Sequence, residues 1–122
     1  MSRKPKILVV EDDPNLRLFV VGHINQLGFT ALIAEAGDQA LEIIEDHPEV
    51  TLLFTDIVLA GQMNGLDLAE SARAIRPDLK LLFTSGYAPE NIKRKVGAGE
   101  HVLPKPFTGA TLEAKLRQVL DF

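Results

Sequence analysis

Ile7-Leu8-Val9-Val10-Glu11-Asp12-Asp13 (residues 7–13) decides how the rest of the chain is read. Four apolar residues run without interruption and stop at three acids. An unbroken apolar run marks a strand covered on both faces, as in a parallel sheet, whereas a strand with one wet face alternates. With Lys6 included, this run is the first of five. The others are Thr30–Ala34, Thr51–Thr55, Lys80–Thr84 and His101–Leu103.

Helical spacing fills the intervals. Asp13 is placed to cap a first helix and Pro14 suits its first turn. Leu16, Phe19, Val20, Ile24 and Leu27 then share a face, and Gly28 ends the segment. A second helix runs from a cap at Asp38 through Leu41 and Ile44 and stops before Pro48. A third carries Leu68, Ala72 and Ile75 and stops before Pro77. A short fourth, Pro89–Val96, precedes Gly97 and Gly99. A fifth opens at Thr108 and carries Leu112, Leu116, Val119 and Leu120. Strands alternating with helices imply βαβ units, and right-handed crossovers put helices on both faces of the sheet.

The chain has 122 residues, 46% of them apolar and 25% charged. That predicts one domain over residues 1–122, since compact domains most often run to about 100–150 residues. The absence of cysteine excludes disulfides, zinc–thiolate sites, iron–sulfur clusters and cysteine nucleophiles. No apolar run approaches the ~20 residues of a membrane helix, and the basic Met1–Lys6 start is too short for a signal peptide, so a cytoplasmic location is expected. Thirteen basic residues against 17 acidic ones, a net charge of −4, argue against a nucleic-acid surface.

Ligands of open parallel sheets bind outside the carboxyl ends of the strands. Four such ends carry reactive side chains here: Glu11-Asp12-Asp13, Asp56, Thr84-Ser85-Gly86 and Pro104-Lys105-Pro106-Phe107. Converging carboxylates resist ionising together unless a cation joins them. Oxygen ligands without His or Cys select a hard cation such as Mg²⁺. An aspartate delivered to that cation suits a nucleophile that forms an acyl phosphate, with Lys105 and the Thr84 hydroxyl on the phosphoryl oxygens.

Each residue also has a plain reading. Asp13 alone reads as a helix cap, Glu11 and Asp12 as solvated loop charges, and Asp56 as the end of a strand. Thr84-Ser85-Gly86-Tyr87 reads as a turn and Lys105 as a surface lysine. His23, His47 and His101 lack metal-ligand spacing and read as structural or exposed. The coincidence of four strand ends, each with a group that one reaction needs, favours the chemical reading.

Taken together, Ile7–Asp13, Thr55-Asp56-Ile57-Val58, Thr84-Ser85-Gly86 and Lys105-Pro106-Phe107 resemble the receiver domain of two-component response regulators, in order and over the whole chain. The resemblance implies an α/β, flavodoxin-like (βα)5 three-layer sandwich with a parallel sheet of order 2-1-3-4-5. It implies that Asp56 is the phosphoacceptor, served by a sensor histidine kinase or a phosphotransfer protein. Mg²⁺ would be held by Asp12 directly and by Glu11 through water, with Asp56 and the Val58 carbonyl completing the metal set. Thr84 would be the switch hydroxyl and Lys105 the cation on the phosphoryl group, with a cis bond before Pro106.

The sequence departs from the family pattern in three places. Val102 stands where an aromatic switch residue is usual, and Tyr87, the sole tyrosine, is expected to take part of that role. The loop after Asp56 lacks a proline near Ala60 and is one residue longer, a shape that resembles receivers associated with hybrid sensor kinases. Val58 and Gly86, two residues after Asp56 and Thr84, cannot orient a water, which predicts slow self-catalysed dephosphorylation.

Phosphorylation would repack the fourth helix and fifth strand, creating an output face around Tyr87–Val96 and Val102–Leu103 for a downstream protein partner. With no output domain before Phe122, the domain would act through that partner or return the phosphoryl group to a histidine, either alone or as part of a larger kinase. Neither nucleic acid nor membrane is expected as a direct partner. Three other readings compete. A phosphatase of the haloacid-dehalogenase type would need a second aspartate where Val58 stands. A non-phosphorylated receiver-fold interaction module typically lacks one of the acids or the lysine. A flavin-binding protein would need a Ser/Thr/Gly phosphate loop where Glu11-Asp12-Asp13 would repel phosphate.

Overall fold

The computed structural model describes residues 5–59, 63–86 and 101–120. Along the chain these form β1 (Lys6–Val10), α1 (Pro14–Gln26), β2 (Thr30–Ala34), α2 (Gly37–Asp46), β3 (Val50–Asp56), α3 (Gly65–Ile75), β4 (Lys80–Ser85), β5 (His101–Pro104) and α4 (Gly109–Leu120). The last is the helix predicted to open at Thr108. The predicted helix Pro89–Val96, Tyr87, and the loop residues Ala60, Gly61 and Gln62 lie outside the described residues.

All strand pairs are parallel and the order is β2-β1-β3-β4-β5, the flavodoxin-like arrangement. Side chains alternate across a strand, and the two sheet faces gather separate cores. Leu8, Val10, Leu53, Leu81 and Phe83 face one core with Ile44 of α2 and Leu68 and Ala72 of α3. Ile7, Val9, Leu52, Phe54 and Leu82 face the other with Val20 and Ile24 of α1 and Leu112 and Leu116 of α4. Continuous apolar runs in β1, β3 and β4 thus reflect helices on both sides.

Three expectations need correction. β2 reads as apolar as its neighbours, but it is an edge strand and Ile33 remains 41% exposed. Phe19 lies at the rim of α1, 39% exposed, with its ring 4.7 Å from His23 and 6.3 Å from Phe107 between centroids. Asp38 does not cap α2, whose N-cap is Ala36 without a side-chain hydrogen bond. Instead Asp38 sits in the first turn, and the Gln39 carboxamide reaches back to accept from the Glu35 N–H at 2.8 Å. Its carboxylate still faces the positive end of the helix.

Asp13 does cap α1, accepting from the N–H groups of Asn15 and Leu16. Gly28 ends that segment with φ 93°, a conformation that suits glycine. Thr108 opens α4 by exchanging hydrogen bonds with Thr111. The strands point the same way, so β1, β3, β4 and β5 deliver their carboxyl ends to one edge.

Candidate functional site

Glu11 follows β1 and Asp56 ends β3. In register, Val10 lies beside Thr55 and Asp56 beside Thr84. Beyond β5, the Lys105 N–H donates to the Ser85 carbonyl at 2.8 Å, which seats Lys105 next to the β4 end. Glu11, Asp12 and Asp56 bring one carboxylate oxygen each within 4.8 Å of one another. Glu11 and Asp56 are buried and Asp12 is exposed.

Lys105 holds two of these acids. Its Nζ donates to Asp56 Oδ2 at 2.5 Å and to Glu11 Oε1 at 3.1 Å. Glu11 Oε2 accepts from the Asp13 N–H at 3.0 Å, and Asp56 Oδ1 from the Val58 N–H at 3.1 Å. Burial, with the Asp56 charge adding to it, pushes the Glu11 carboxyl above its ordinary 4.5, against the opposing pull of the Asp13 N–H and Lys105. Burial pulls Lys105 down, but the hydrogen bonds and charges of Asp56 and Glu11 outweigh it and hold the ammonium above its ordinary 10.5. One ammonium among three carboxylates leaves excess negative charge.

This donor set fits Mg²⁺. It consists of oxygens only, one acid is open to solvent, and none of the three histidines belongs to the cluster. His23 pairs instead with Glu113 of α4 at 2.6 Å, and His47 with Glu49 at 2.8 Å. Thr84 adds an unfinished feature. Its Oγ1 is buried and has no hydrogen-bond partner among the described residues. Leaving a buried hydroxyl unpaired costs about 1–3 kcal/mol. The Lys105–Pro106 peptide bond is cis. Beside Lys105 opens a cleft of about 400 Å³, lined also by Asp13, Leu16, Pro106 and Phe107.

The sequence pattern of the response regulator receiver domain family matches residues 7–117. The chain belongs to that family. This receiver is 34% identical over 117 residues to the response regulator receiver protein CpdR of Brucella abortus, covering 94% of this chain and 96% of that protein. It is 33% identical over 124 residues to the sensor kinase CckA of the same species, covering 99% of this chain but 13% of that kinase. Its fold matches a response regulator receiver protein from Sinorhizobium medicae, with a TM-score of 0.88, 26% identity and coverage of 98% of this chain and 96% of the other. A CheY-like receiver domain from Methanospirillum hungatei gives a TM-score of 0.85 and 30% identity over 98% and 95% of the two chains. The protein is therefore a receiver domain of two-component signalling, and its acidic cluster fits a phosphoacceptor site. No helix among the described residues is long and apolar enough to cross a membrane.

The structure brings Glu11, Asp12, Asp56 and Lys105 together and places Thr84 beside Asp56. Val58 sits at the rim, 52% exposed, while Val102 packs against the core on the α2–α3 side. Two contributors escaped the sequence reading. Gly65 opens α3 so close to β3 that a Cβ there would lie 2.1 Å from the Asp56 carbonyl oxygen. Its N–H donates to the Ile57 carbonyl at 2.7 Å. Arg17 of α1 donates through Nη1 to the Glu11 carbonyl at 2.9 Å. The available signals were a glycine opening a helix and a cation near the positive end of one.

Proposed function

We propose that Asp56 is the phosphoacceptor of this receiver and that the domain takes its phosphoryl group from the phosphohistidine of a sensor histidine kinase or phosphotransfer protein. The observation that carries this reading is the setting of Asp56. It is a nearly buried carboxylate at a strand end, 2.5 Å from Lys105, within the acidic cluster and in register with an unpartnered Thr84 hydroxyl.

An Asp56 carboxylate oxygen would form the new P–O bond as the P–N bond breaks, and the donor imidazole nitrogen would keep the electron pair. The cleft lined by Asp13, Leu16 and Phe107 borders Lys105, which bonds Asp56, and a donor side chain would approach from that side. Glu11, Asp12 and Asp56, with the Val58 carbonyl, would hold Mg²⁺, which when bound supplies positive charge against the phosphoryl oxygens. Lys105 would shift its donors from the free carboxylate onto the phosphoryl group, and Thr84 would give its hydroxyl the partner it lacks. The expected output face includes Val102, Tyr87 and the segment Pro89–Val96, and it would engage a downstream protein rather than nucleic acid or membrane.

On this reading, residues 1–122 form one cytoplasmic receiver domain whose only catalysis is its own phosphorylation and dephosphorylation. A dehalogenase-type phosphatase gains no support, since the position two residues after Asp56 offers only a half-exposed valine. The test is intact mass after incubation with Mg²⁺ and acetyl phosphate, for the wild type and for Asp56→Asn. A single phosphoryl adduct that needs Mg²⁺ and is lost in the variant is expected. No adduct, or one that survives the substitution, overturns the proposal.

A further inference from the structure

Arg17 stands apart from the other cation near the acids. Lys105 bonds the carboxylates of Glu11 and Asp56 themselves. Arg17 bonds the Glu11 main-chain carbonyl at 2.9 Å, and no ion pair joins it to Glu11, Asp12 or Asp56 among the described residues. That carbonyl belongs to the peptide unit linking Glu11 to Asp12. A peptide unit is planar and rigid, so fixing its oxygen restricts Glu11 ψ and Asp12 φ together. One hydrogen bond from α1 therefore bears on how both carboxylates are aimed.

The surrounding bonds complete the clamp. The Asp13 N–H holds Glu11 Oε2 at 3.0 Å, and the Arg17 N–H donates to the Asp13 carbonyl at 2.9 Å. Arg17 is only the fourth residue of α1, near the positive end of the helix, where a cation is unfavourable. A local preference broken beside a site points to a role in the site. We infer that Arg17 is a positioning residue, which holds the Glu11–Asp12 peptide unit in the orientation that lets the two acids bind a divalent cation.

This inference rests on the metal-binding reading of Glu11, Asp12 and Asp56, and it predicts the opposite of simple electrostatics. Removing a positive charge beside an acidic pocket should tighten Mg²⁺ binding, whereas losing a group that orients metal ligands weakens it, typically by about 10–100-fold. The experiment is calorimetric titration of the metal-free wild-type chain, Arg17→Met, Arg17→Ala and Asp12→Asn with Mg²⁺, at a temperature where circular dichroism shows each folded. Arg17→Met keeps the apolar stem and Arg17→Ala favours the helix, so the two variants perturb folding differently.

The expected result is Mg²⁺ affinity lower by about tenfold in both Arg17 variants. Faster amide exchange at Asp12 and Asp13 in the metal-free protein should accompany it. Unchanged or tighter Mg²⁺ binding by the folded Arg17 variants, with Asp12→Asn abolishing it, overturns the inference and leaves the metal reading standing. No binding by the wild type, or full binding by Asp12→Asn, overturns the metal reading and the role of Arg17 with it.

Discussion

Lys105 donates to both Asp56 and Glu11, so its ammonium and a divalent cation at the proposed site would neutralise the same carboxylates. Lys105→Met is expected to tighten Mg²⁺ binding, measured by calorimetry, while phosphoryl uptake from acetyl phosphate falls by at least about tenfold for want of charge on the transferred group. Weaker Mg²⁺ binding by the variant would contradict this account. Two residues past Asp56 and Thr84, Val58 is 52% exposed and a Cβ at Gly86 would meet nothing within 4 Å among the described residues. Neither side chain can align a water for attack on an acyl phosphate. Val58→Asn should therefore shorten the phosphorylated lifetime, but by less than the roughly 100-fold at which general acid–base catalysis begins, because an amide orients the water without taking its proton. An equal lifetime, followed by intact mass after donor removal, would refute the role given to Val58.

Among the elements, two glycines at helical positions make opposite predictions. Gly22 lies within α1 and an added Cβ would meet nothing within 4 Å among the described residues. Gly22→Ala should stabilise the fold by about 0.5–1 kcal/mol through helix propensity and lower unfolded-chain entropy. At Gly65 the same change sets a methyl against the Asp56 carbonyl and the Ile57 Cα, forcing α3 away from β3. Gly65→Ala should cost about 1–3 kcal/mol, as overpacking does. Urea unfolding measures both, and a stabilised Gly65→Ala would show that α3 yields freely. The contrast also marks what a sequence can disclose. Strands β1, β3 and β4 are legible because burial on two faces leaves unbroken apolar runs that stop at Glu11, Asp56 and Thr84. The need for glycine at position 65 is not legible, since it arises from contact between segments that only the folded chain brings together. The edge position of β2 escapes for a related reason. Ile33 is as apolar as Val9, and only the strand order decides which has a neighbour on each side.

For the molecule as a whole, the Glu11 carboxyl couples stability to pH and, through the proposed metal site, would couple it to Mg²⁺. Its folded-state pKa lies above the ordinary 4.5 of the unfolded chain, so the folded state takes up the proton first as pH falls. Stability from this group therefore grows as pH drops through the raised value and is fully gained below the unfolded one. Lys105 has the same direction of shift at the alkaline end. Its contribution is fully present below its unfolded pKa and lost only as pH climbs through the raised one, so it stays constant in mild acid. A divalent cation held by Glu11, as proposed, would need the carboxylate ionised and so would compete with the proton. The rise in melting temperature produced by saturating Mg²⁺ should accordingly be smaller at pH 4.5, where a carboxyl raised above 4.5 is more than half protonated, than at pH 7.5. A rise of equal size at both would show that Glu11 does not participate. The constellation is legible in the sequence to the same extent as the strands, because parallel strands send all their carboxyl ends to one edge. Arg17 is not, because it acts on a main-chain oxygen that every residue possesses.

The Lys105–Glu11 hydrogen bond joins residues 94 positions apart, and its lysine follows β5, which is hydrogen-bonded to β4 alone in the described sheet. On a ribosome the three acids emerge long before the ammonium that balances them. A nascent chain ending short of Lys105 holds mutually repelling carboxylates and lacks the ammonium proposed to meet the phosphoryl group. On the role proposed for Lys105, full competence to receive a phosphoryl group would arrive only when the last strand docks, so a partly made receiver would be charged poorly.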